Sequence, residues 1–270
     1  MDNAELVRVI EQNVAELLMA MGAAGGGRQR DDAGVRWTIG GSPIDYHNAV
    51  VAADLTARTA DAIIAESLQK LKNHDVPGSW HVGPSMRPAD LGERLLAAGF
   101  THGGSEPGMA VDLAELADPA RTTGLRVDRV RTEQDLGIWV DTLGRGFGEG
   151  VKEARWVGEV YRRLGLEDPW RHYLGRLDGE PVATTTIYLA AGVAGVYFVM
   201  TVPKARRRGI GATITRAALQ DALEARDTGS TGVRYGVLGS SPAGRSVYAG
   251  LGFREYCTID LYEWSPTRTG

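Results

Sequence analysis

Apolar residues recur at helical spacing near the start of the chain. Between Ala4 and Met21 they fall every three or four positions, which predicts an amphipathic helix. Further on, short apolar runs bounded by polar and turn residues predict strands at Val35–Ile39, Ala49–Leu55, Ser79–Val82 and Met109–Leu113. A helix that begins at a Thr56 cap and another that ends before Gly99 are predicted between these strands.

The second half of the chain carries stronger signals. Strands are predicted at Leu125–Val130, His172–Leu177, Pro181–Leu189, Val193–Val202, Val233–Leu238 and Arg254–Trp264. Helices are predicted from a Thr132 cap to about Gly144 and at Lys152–Leu164, Gly209–Arg226 and Ala243–Leu251. Asp178-Gly179 predicts a hairpin turn. Because Val193–Val202 is almost wholly apolar, it is predicted to be central in its sheet, and the element order places one parallel βαβ crossover late in this half.

The length and composition indicate a soluble protein of two domains. The turn-rich stretch Ala117–Gly124 is the predicted linker, which gives a domain at 1–118 and another at 122–265. The net charge of −4 does not favour nucleic acid, and no apolar run is long enough to cross a membrane. A single cysteine, Cys257, is consistent with the cytoplasm. The five histidines lack metal-ligand spacing, so no metal is predicted.

The segment between the apolar strand and its helix has the chemistry of an anion site. Arg206, Arg207 and Arg208 precede Gly209-Ile210-Gly211-Ala212 at the predicted helix start. The first turn of a helix has free N–H groups, and glycines allow a diphosphate to approach them closely. The segment is not a Walker loop, because Gly-Lys-Ser/Thr is absent, nor does it have the third glycine of a dinucleotide-binding fingerprint. A basic, solvated helix start is the alternative interpretation of the bare Gly-x-Gly.

Two motifs together resemble the GNAT (GCN5-related N-acetyltransferase) family. Arg206-x-x-Gly209-x-Gly211 is similar to the family's acetyl-CoA loop, and the stretch Ser241 to Phe253 resembles its Asn…Ala…Tyr-x-x-x-Gly-Phe pattern, with Ser241 in place of the asparagine. The resemblance covers Leu125–Trp264. It implies a mixed α/β (α+β) GNAT fold, with a central, mostly antiparallel twisted sheet and one parallel crossover, preceded by a smaller α/β domain. It also implies acetyl-CoA as cofactor.

The resemblance further implies roles for individual residues. The set expected to bind acetyl-CoA comprises Val199, Met200, Thr201, Arg206, Arg207, Arg208, Gly209, Ile210, Gly211, Ala212, Ser241 and Tyr248. Tyr248 resembles the family's general acid, and the alternative is that its ring packs under the Gly252-Phe253 corner. A backbone N–H near Met200 is expected to stabilise the oxyanion.

The general base is not indicated by one residue. Val193–Val202 contains no acidic side chain, although many family members have a glutamate there. Glu149 and Glu153 lie in the segment that lines the family's acceptor site, and either could bind a cationic acceptor or take its proton through water; solvated surface charge is the alternative for both. Trp139, Phe147 and Trp156 could shape an acceptor pocket or could belong to the core.

The first half contains a weak echo of these motifs. A strand is followed by a helix that ends in Gly99-Phe100, but the echo lacks both the glycine loop and the tyrosine. We interpret it as a degenerate GNAT-like domain, with an unrelated α/β lid as the alternative. Trp80 and His81 could reach an acceptor cleft or could be packed residues.

Overall, the sequence predicts an N-acetyltransferase for an amine-bearing small molecule or protein, acting as a monomer or a homodimer. The alternatives are a non-catalytic acyl-CoA-binding regulatory module and an acyl or aminoacyl transferase of the tandem-GNAT type.

Overall fold

The structure, a computed structural model, describes residues 1–120, 122–224 and 233–266. In these residues helices α1 to α7 span Asn3–Ala24, Ala60–His74, Leu91–Ala97, Glu133–Leu143, Val151–Leu164, Ile210–Glu224 and Arg245–Gly250. Strands β1 to β11 span Arg28–Asp31, Val35–Ile39, Ala49–Ala53, Gly78–Val82, Thr101–Asp112, Leu125–Arg129, Trp170–Leu177, Glu180–Ala190, Val193–Thr201, Tyr235–Gly239 and Arg254–Trp264. Arg226, the predicted end of α6, lies outside the described residues.

The chain divides into two compact units, each built from separate stretches of sequence. The first unit comprises Met1–Asn13 and Gly108–Tyr256, and the second comprises Val14–Pro107 and Cys257–Gly270. This division differs from a single boundary at 118–122, because α1, β5 and β11 each contribute residues to both units.

The sheet of the first unit has the strand order β5-β10-β9-β8-β7-β6, to which β5 contributes its last residues. The β9–β10 pair is parallel and is connected through α6, whereas β5–β10, β8–β9, β7–β8 and β6–β7 are antiparallel. The predicted mixed fold, with one parallel crossover in a mostly antiparallel sheet, is therefore confirmed for this unit. The apolar strand β9 is interior in the sheet, as predicted.

Two local signals explain how this sheet is connected. Asp178 and Gly179 both have positive φ, 51° and 89°, which is the backbone of a type I′ turn and matches the twist of the β7–β8 hairpin. The Thr132 hydroxyl accepts a hydrogen bond from the Asp135 N–H at 3.1 Å and caps α4. Both features agree with the sequence prediction.

The second unit has the strand order β1-β2-β3-β4-β11-β5. Here β3 and β4 are parallel and connected through α2, and β4 pairs with β11 in antiparallel fashion. Its core contains Trp37, Trp80 and Phe100, and the Trp80 indole donates a hydrogen bond to the Ser67 hydroxyl at 3.1 Å. Because Trp80 and His81 are both buried, the packed role is the one observed for them within this unit.

Three elements differ from the sequence prediction. Strand β1 was not predicted, because Arg28–Asp31 is wholly polar and mostly exposed. Helix α2 begins at Ala60 rather than after Thr56, because Thr56 and Thr59 form a separate turn in which the Thr59 hydroxyl accepts from the Thr56 N–H. Strand β5 begins at Thr101 rather than Met109, since glycines and a proline hide its first half.

None of the helices within the described ranges has the length and apolarity that a bilayer crossing requires. In the same residues no three histidine, cysteine or acidic side chains are grouped so that they could hold a metal ion.

Candidate active site

Strands β9 and β10 separate within the sheet of the first unit. They pair at Ala194 with Gly236 and at Gly195 with Val237, and no later pair forms between their described residues, although β9 continues to Thr201. Along Val199–Thr201, one edge of β9 therefore has no pairing to the described residues of β10. Such an edge can form hydrogen bonds to an extended ligand, as in β-strand addition.

A bulge lies on β9 just after the separation begins. Thr186 opposes Tyr197 and Thr184 opposes Met200, so that β9 has one more residue than β8 in this interval. Phe198 has a φ of +51°, and its carbonyl oxygen accepts a hydrogen bond from the buried Thr184 hydroxyl at 2.9 Å. The bulge changes the direction of the backbone that leads to Val199–Thr201.

The loop after β9 is exposed and is held at both sides by hydrogen bonds. After a 3-10 turn at Pro203–Ala205, Arg207 has a φ of +61° and Gly209 a φ of +75°. The Arg206 guanidinium donates to the Thr201 carbonyl at 3.0 Å, and the Thr122 hydroxyl donates to the Arg208 carbonyl at 2.8 Å. The loop therefore has a defined shape, whereas Arg207 and Arg208 remain exposed to solvent.

Glycine occupies the two positions 209 and 211 of the loop for different physical reasons. Gly209 has the positive φ that favours glycine. At Gly211 the nearest neighbour of an added Cβ would be the Thr201 hydroxyl oxygen, at an ordinary 3.7 Å, and its φ is not in the left-handed region. Nothing in the described protein requires glycine at Gly211. Its missing side chain leaves space at the N-terminus of the 15-residue helix α6, where first-turn N–H groups lack intrahelical partners.

Tyr248 lies on α7 with its ring against Phe253, at a centroid distance of 5.9 Å. A Cβ on Gly244 would approach the tyrosine ring to 2.8 Å, so the ring also occupies the place of a side chain there. No hydrogen bond to its hydroxyl occurs among the described residues. The side chain as a whole is half-buried, but its surroundings exclude enough water to raise the pKa of Tyr248. The phenol is therefore protonated and available as a proton donor near neutral pH.

Ser241 precedes α7, and its hydroxyl oxygen accepts a hydrogen bond from the Gly244 N–H at 3.3 Å. The residue is exposed. This contact shapes the turn that leads to Tyr248.

The two candidate glutamates occupy the start of α5 in different ways. Glu153 is buried, and its carboxylate accepts from the Glu149 backbone N–H at 3.0 Å. A Cβ on Gly148 would lie 1.8 Å from that carboxylate, so the glutamate packs on bare backbone. Glu149 is exposed and pairs with Lys152 at 2.8 Å. Solvated surface charge therefore describes Glu149 but not Glu153.

The connection between α4 and α5 lies against the end of β9. The Arg206 guanidinium donates to the Gly146 carbonyl at 3.1 Å, and a Cβ on Gly146 would lie 3.6 Å from the Met200 sulfur. Phe147 contacts Phe198, with centroids 5.4 Å apart. The contacts of Gly146 and Thr122 with the loop were not predicted from sequence, because backbone carbonyls and a lone threonine give no motif.

The aromatic residues considered for an acceptor pocket divide between core and site. Trp139 is fully buried and contacts Tyr161, His172 and Phe198, with centroids 5.6 to 6.1 Å away. It belongs to the core of the first unit. Trp156 is also buried. Phe147 is half-buried and contacts Phe198, beside the Gly146 carbonyl that accepts from Arg206.

Comparison with known proteins agrees with this geometry. Residues 115–239 match the model of the Acetyltransferase (GNAT) domain. A search of curated proteins found no match. A GCN5-related N-acetyltransferase from Kribbella flavida has a similar structure, with a TM-score of 0.66 and 19% identity over 94% of this chain and 97% of that chain. A tandem GNAT protein from the clavulanic acid biosynthesis pathway has a TM-score of 0.60 and 17% identity over 86% and 79%.

At these identities the structural likeness shows the fold alone. Residues 115–239 of this chain match an acyltransferase domain of the GNAT family.

Proposed function

We propose that the protein is an N-acetyltransferase that transfers the acetyl group of acetyl-CoA directly to a primary amine within a ternary complex. The observation that carries this proposal is the space at Gly211, at the start of α6 and next to three arginines. A diphosphate is the kind of group that a helix N-terminus with bare backbone binds. The Val199–Thr201 stretch of β9, which is not paired with β10, offers the adjacent hydrogen-bonding strand.

In this proposal the backbone N–H groups from Arg207 to Ala212 bind the diphosphate, with the exposed arginines adding positive charge. The backbone of Val199–Thr201 pairs with the pantetheine arm, and a backbone N–H near Met200 stabilises negative charge on the thioester oxygen. Bound acetyl-CoA supplies an acetyl group already activated as a thioester. Tyr248 donates the proton that the departing thiolate needs.

The acceptor amine must lose a proton before it attacks. A lysine-like amine is neutral in only about one part in 2,500 at pH 7. Glu149 is a better candidate than Glu153 for drawing that proton through water, because the Glu153 carboxylate is buried and bonded to the backbone. A cationic acceptor would also be attracted to Glu149.

The first half is proposed to be a degenerate GNAT-like domain. Support comes from the parallel β3–α2–β4 connection, which repeats the β9–α6–β10 arrangement. The start of α2 has no glycine loop, so no second diphosphate site is proposed there. The similar tandem GNAT structure is consistent with two related halves in one chain.

The experiment that tests the function has two steps. Titration calorimetry with CoA and acetyl-CoA measures binding, and thiol release from acetyl-CoA over a panel of amines measures turnover. We expect micromolar binding and thiol release with at least one amine. Absence of binding would overturn the proposal.

Binding without thiol release for any amine would favour the regulatory acyl-CoA-binding module. Faster turnover of aminoacyl or longer acyl donors than of acetyl-CoA would favour an acyl or aminoacyl transferase of the tandem-GNAT type. The net charge of −4 argues against the broad basic surface that a tRNA-bound donor would need.

A further inference from the structure

A buried asparagine from the N-terminal helix contacts β8 and β9 beside the proposed cofactor edge. Asn13 of α1 is fully buried. Its amide nitrogen donates to the Ala190 carbonyl at 2.9 Å, and its amide oxygen accepts from the Tyr197 hydroxyl at 2.6 Å. All three residues belong to the first unit. One side chain therefore ties the end of β8 to the middle of β9.

The contact occurs where β9 leaves β10. Gly195 is the last β9 residue that pairs with β10, through Val237. A Cβ at Gly195 would lie 1.9 Å from the Asn13 amide oxygen and 2.5 Å from the Tyr197 ring, so asparagine and tyrosine both rest on bare backbone. The close approach requires glycine at Gly195.

Tyr197 also directly precedes the bulge. Phe198, the next residue, has the positive φ, and the Thr185 hydroxyl donates to the Tyr197 carbonyl at 3.4 Å. Holding the Tyr197 side chain therefore restrains the backbone on the N-terminal side of the bulge. The backbone on its other side is Val199–Thr201, the edge proposed to bind the pantetheine arm.

We infer that Asn13 is a positioning residue for the cofactor edge: it fixes the point at which β9 separates from β10, and so holds Val199–Thr201 in the binding geometry. This inference rests on the proposed function. The polar side chain was visible in sequence, since Asn13 interrupts the apolar stripe of the predicted helix between Ile10 and Leu17. Its hydrogen-bond partners on β8 and β9 could not be identified from the sequence.

The test compares three variants with the native chain. Asn13→Ala removes the hydrogen bonds to Ala190 and Tyr197 and a longer one to the Tyr188 carbonyl at 3.5 Å. Tyr197→Phe removes one hydroxyl, and Ile10→Val is the control, a buried change in the same helix without a polar contact to β9. Thermal melting, the acetyl-CoA dissociation constant, and kcat and KM with an active amine are measured for each.

We expect Asn13→Ala to raise both the dissociation constant and the KM for acetyl-CoA by about 10-fold, with kcat at saturation changed by less than about threefold, because small misplacements of binding groups are costly. Tyr197→Phe should shift them in the same direction by less. The effect of the double variant on acetyl-CoA binding should not exceed that of Asn13→Ala, since both substitutions remove the same hydrogen bond between Asn13 and Tyr197.

A purely structural anchor would show a different pattern. Ile10→Val would then weaken acetyl-CoA binding in proportion to its loss of melting temperature, as Asn13→Ala does, and that outcome overturns the inference. So does a folded Asn13→Ala variant that binds acetyl-CoA like the native chain. If Asn13→Ala does not fold, native-like binding by Tyr197→Phe overturns it instead.

The native chain is titrated first, so that the two proposals can be separated. If it does not bind acetyl-CoA, the proposed function fails and takes this inference with it. If it binds and the variants bind equally well, only the role of Asn13 fails.

Discussion

Arg206 donates a hydrogen bond from its guanidinium to the backbone carbonyl of Gly146, at 3.1 Å. A second bond to the Thr201 carbonyl, at 3.0 Å, joins the same side chain to the end of β9. Arg206 thus connects the glycine loop, the proposed cofactor edge and the α4–α5 connection of the first unit. It holds the loop, whereas Arg207 and Arg208 present charge to solvent.

This division of roles predicts that the effects of the three arginine substitutions depend on salt to different degrees. We expect Arg207→Ala and Arg208→Ala to weaken CoA binding by about 3- to 10-fold at low ionic strength and by much less at 0.5 M salt, because exposed charges are screened. Arg206→Ala should weaken binding at both salt concentrations. Calorimetric titration at 0.05 and 0.5 M salt checks this, and an equal salt response of all three variants would contradict it.

Alanine substitutions at Gly209 and Gly211 should change the free energy of unfolding in different ways. Gly209→Ala is expected to destabilise the fold by about 1–2 kcal/mol, because φ is +75° there. Gly211→Ala should be neutral or stabilising by up to about 1 kcal/mol, because the new methyl meets only an ordinary contact in a helix. Urea unfolding measures both.

Substitution of Gly211 should nevertheless weaken the binding of CoA. We expect Gly211→Ala to weaken CoA binding and Gly211→Val to weaken it further, in chains as stable as the native one. A Gly211→Val variant with native affinity would show that the diphosphate does not occupy this space.

Tyr248→Phe keeps the ring packing on Phe253 and removes only the hydroxyl. If the hydroxyl is the acid, kcat should fall by about 100-fold while the CoA dissociation constant is unchanged. Because burial raises the pKa of Tyr248, the native enzyme should keep its acid protonated, with no loss of kcat from this group below about pH 10. A fully active phenylalanine variant would leave the packing role alone.

The two glutamates can be separated by paired substitutions. Glu153→Ala should lower stability by about 1 kcal/mol or more, because the Glu149 N–H then loses its buried acceptor. Glu149→Gln removes only an exposed pair with Lys152 and should cost less than about 1 kcal/mol. Unfolding curves and kcat/KM are compared, and a drop in kcat/KM confined to Glu149→Gln would support its role toward the amine.

Three buried histidines predict acid sensitivity. Burial lowers the pKa of His47 to about 3, of His81 to about 4 and of His172 to about 3. Since the unfolded chain takes up these protons below about pH 6.5 and the folded chain does not, stability is complete above that pH and is lost as pH falls toward 4. At pH 5, each of these histidines should lower the free energy of unfolding by about 2 kcal/mol relative to its value at neutral pH.

Urea unfolding at pH 7.5 and pH 5 measures this loss. His172→Gln should reduce the difference between the two values by about 2 kcal/mol. Identical pH responses of His172→Gln and the native chain would contradict the argument.

Local chemistry alone determined much of the first unit. The Thr132 cap, the Asp178-Gly179 turn, the apolar interior strand β9 and the glycine loop follow from backbone preferences over a few residues. These features act within one turn or one strand, so they can be predicted without knowing the partner elements. The family motif lies in the same local segments.

The tertiary structure decided which strands pair across long sequence distances. Strand β11 pairs with β4 and strand β5 pairs with β10, so each unit uses residues from both ends of the chain. Alternating or apolar patterns predict that a strand exists, but backbone edges are chemically alike and do not encode their partner. For the same reason the contacts of Asn13 with β8 and β9 and the burial of Glu153 on bare glycine backbone could be seen only in the folded chain.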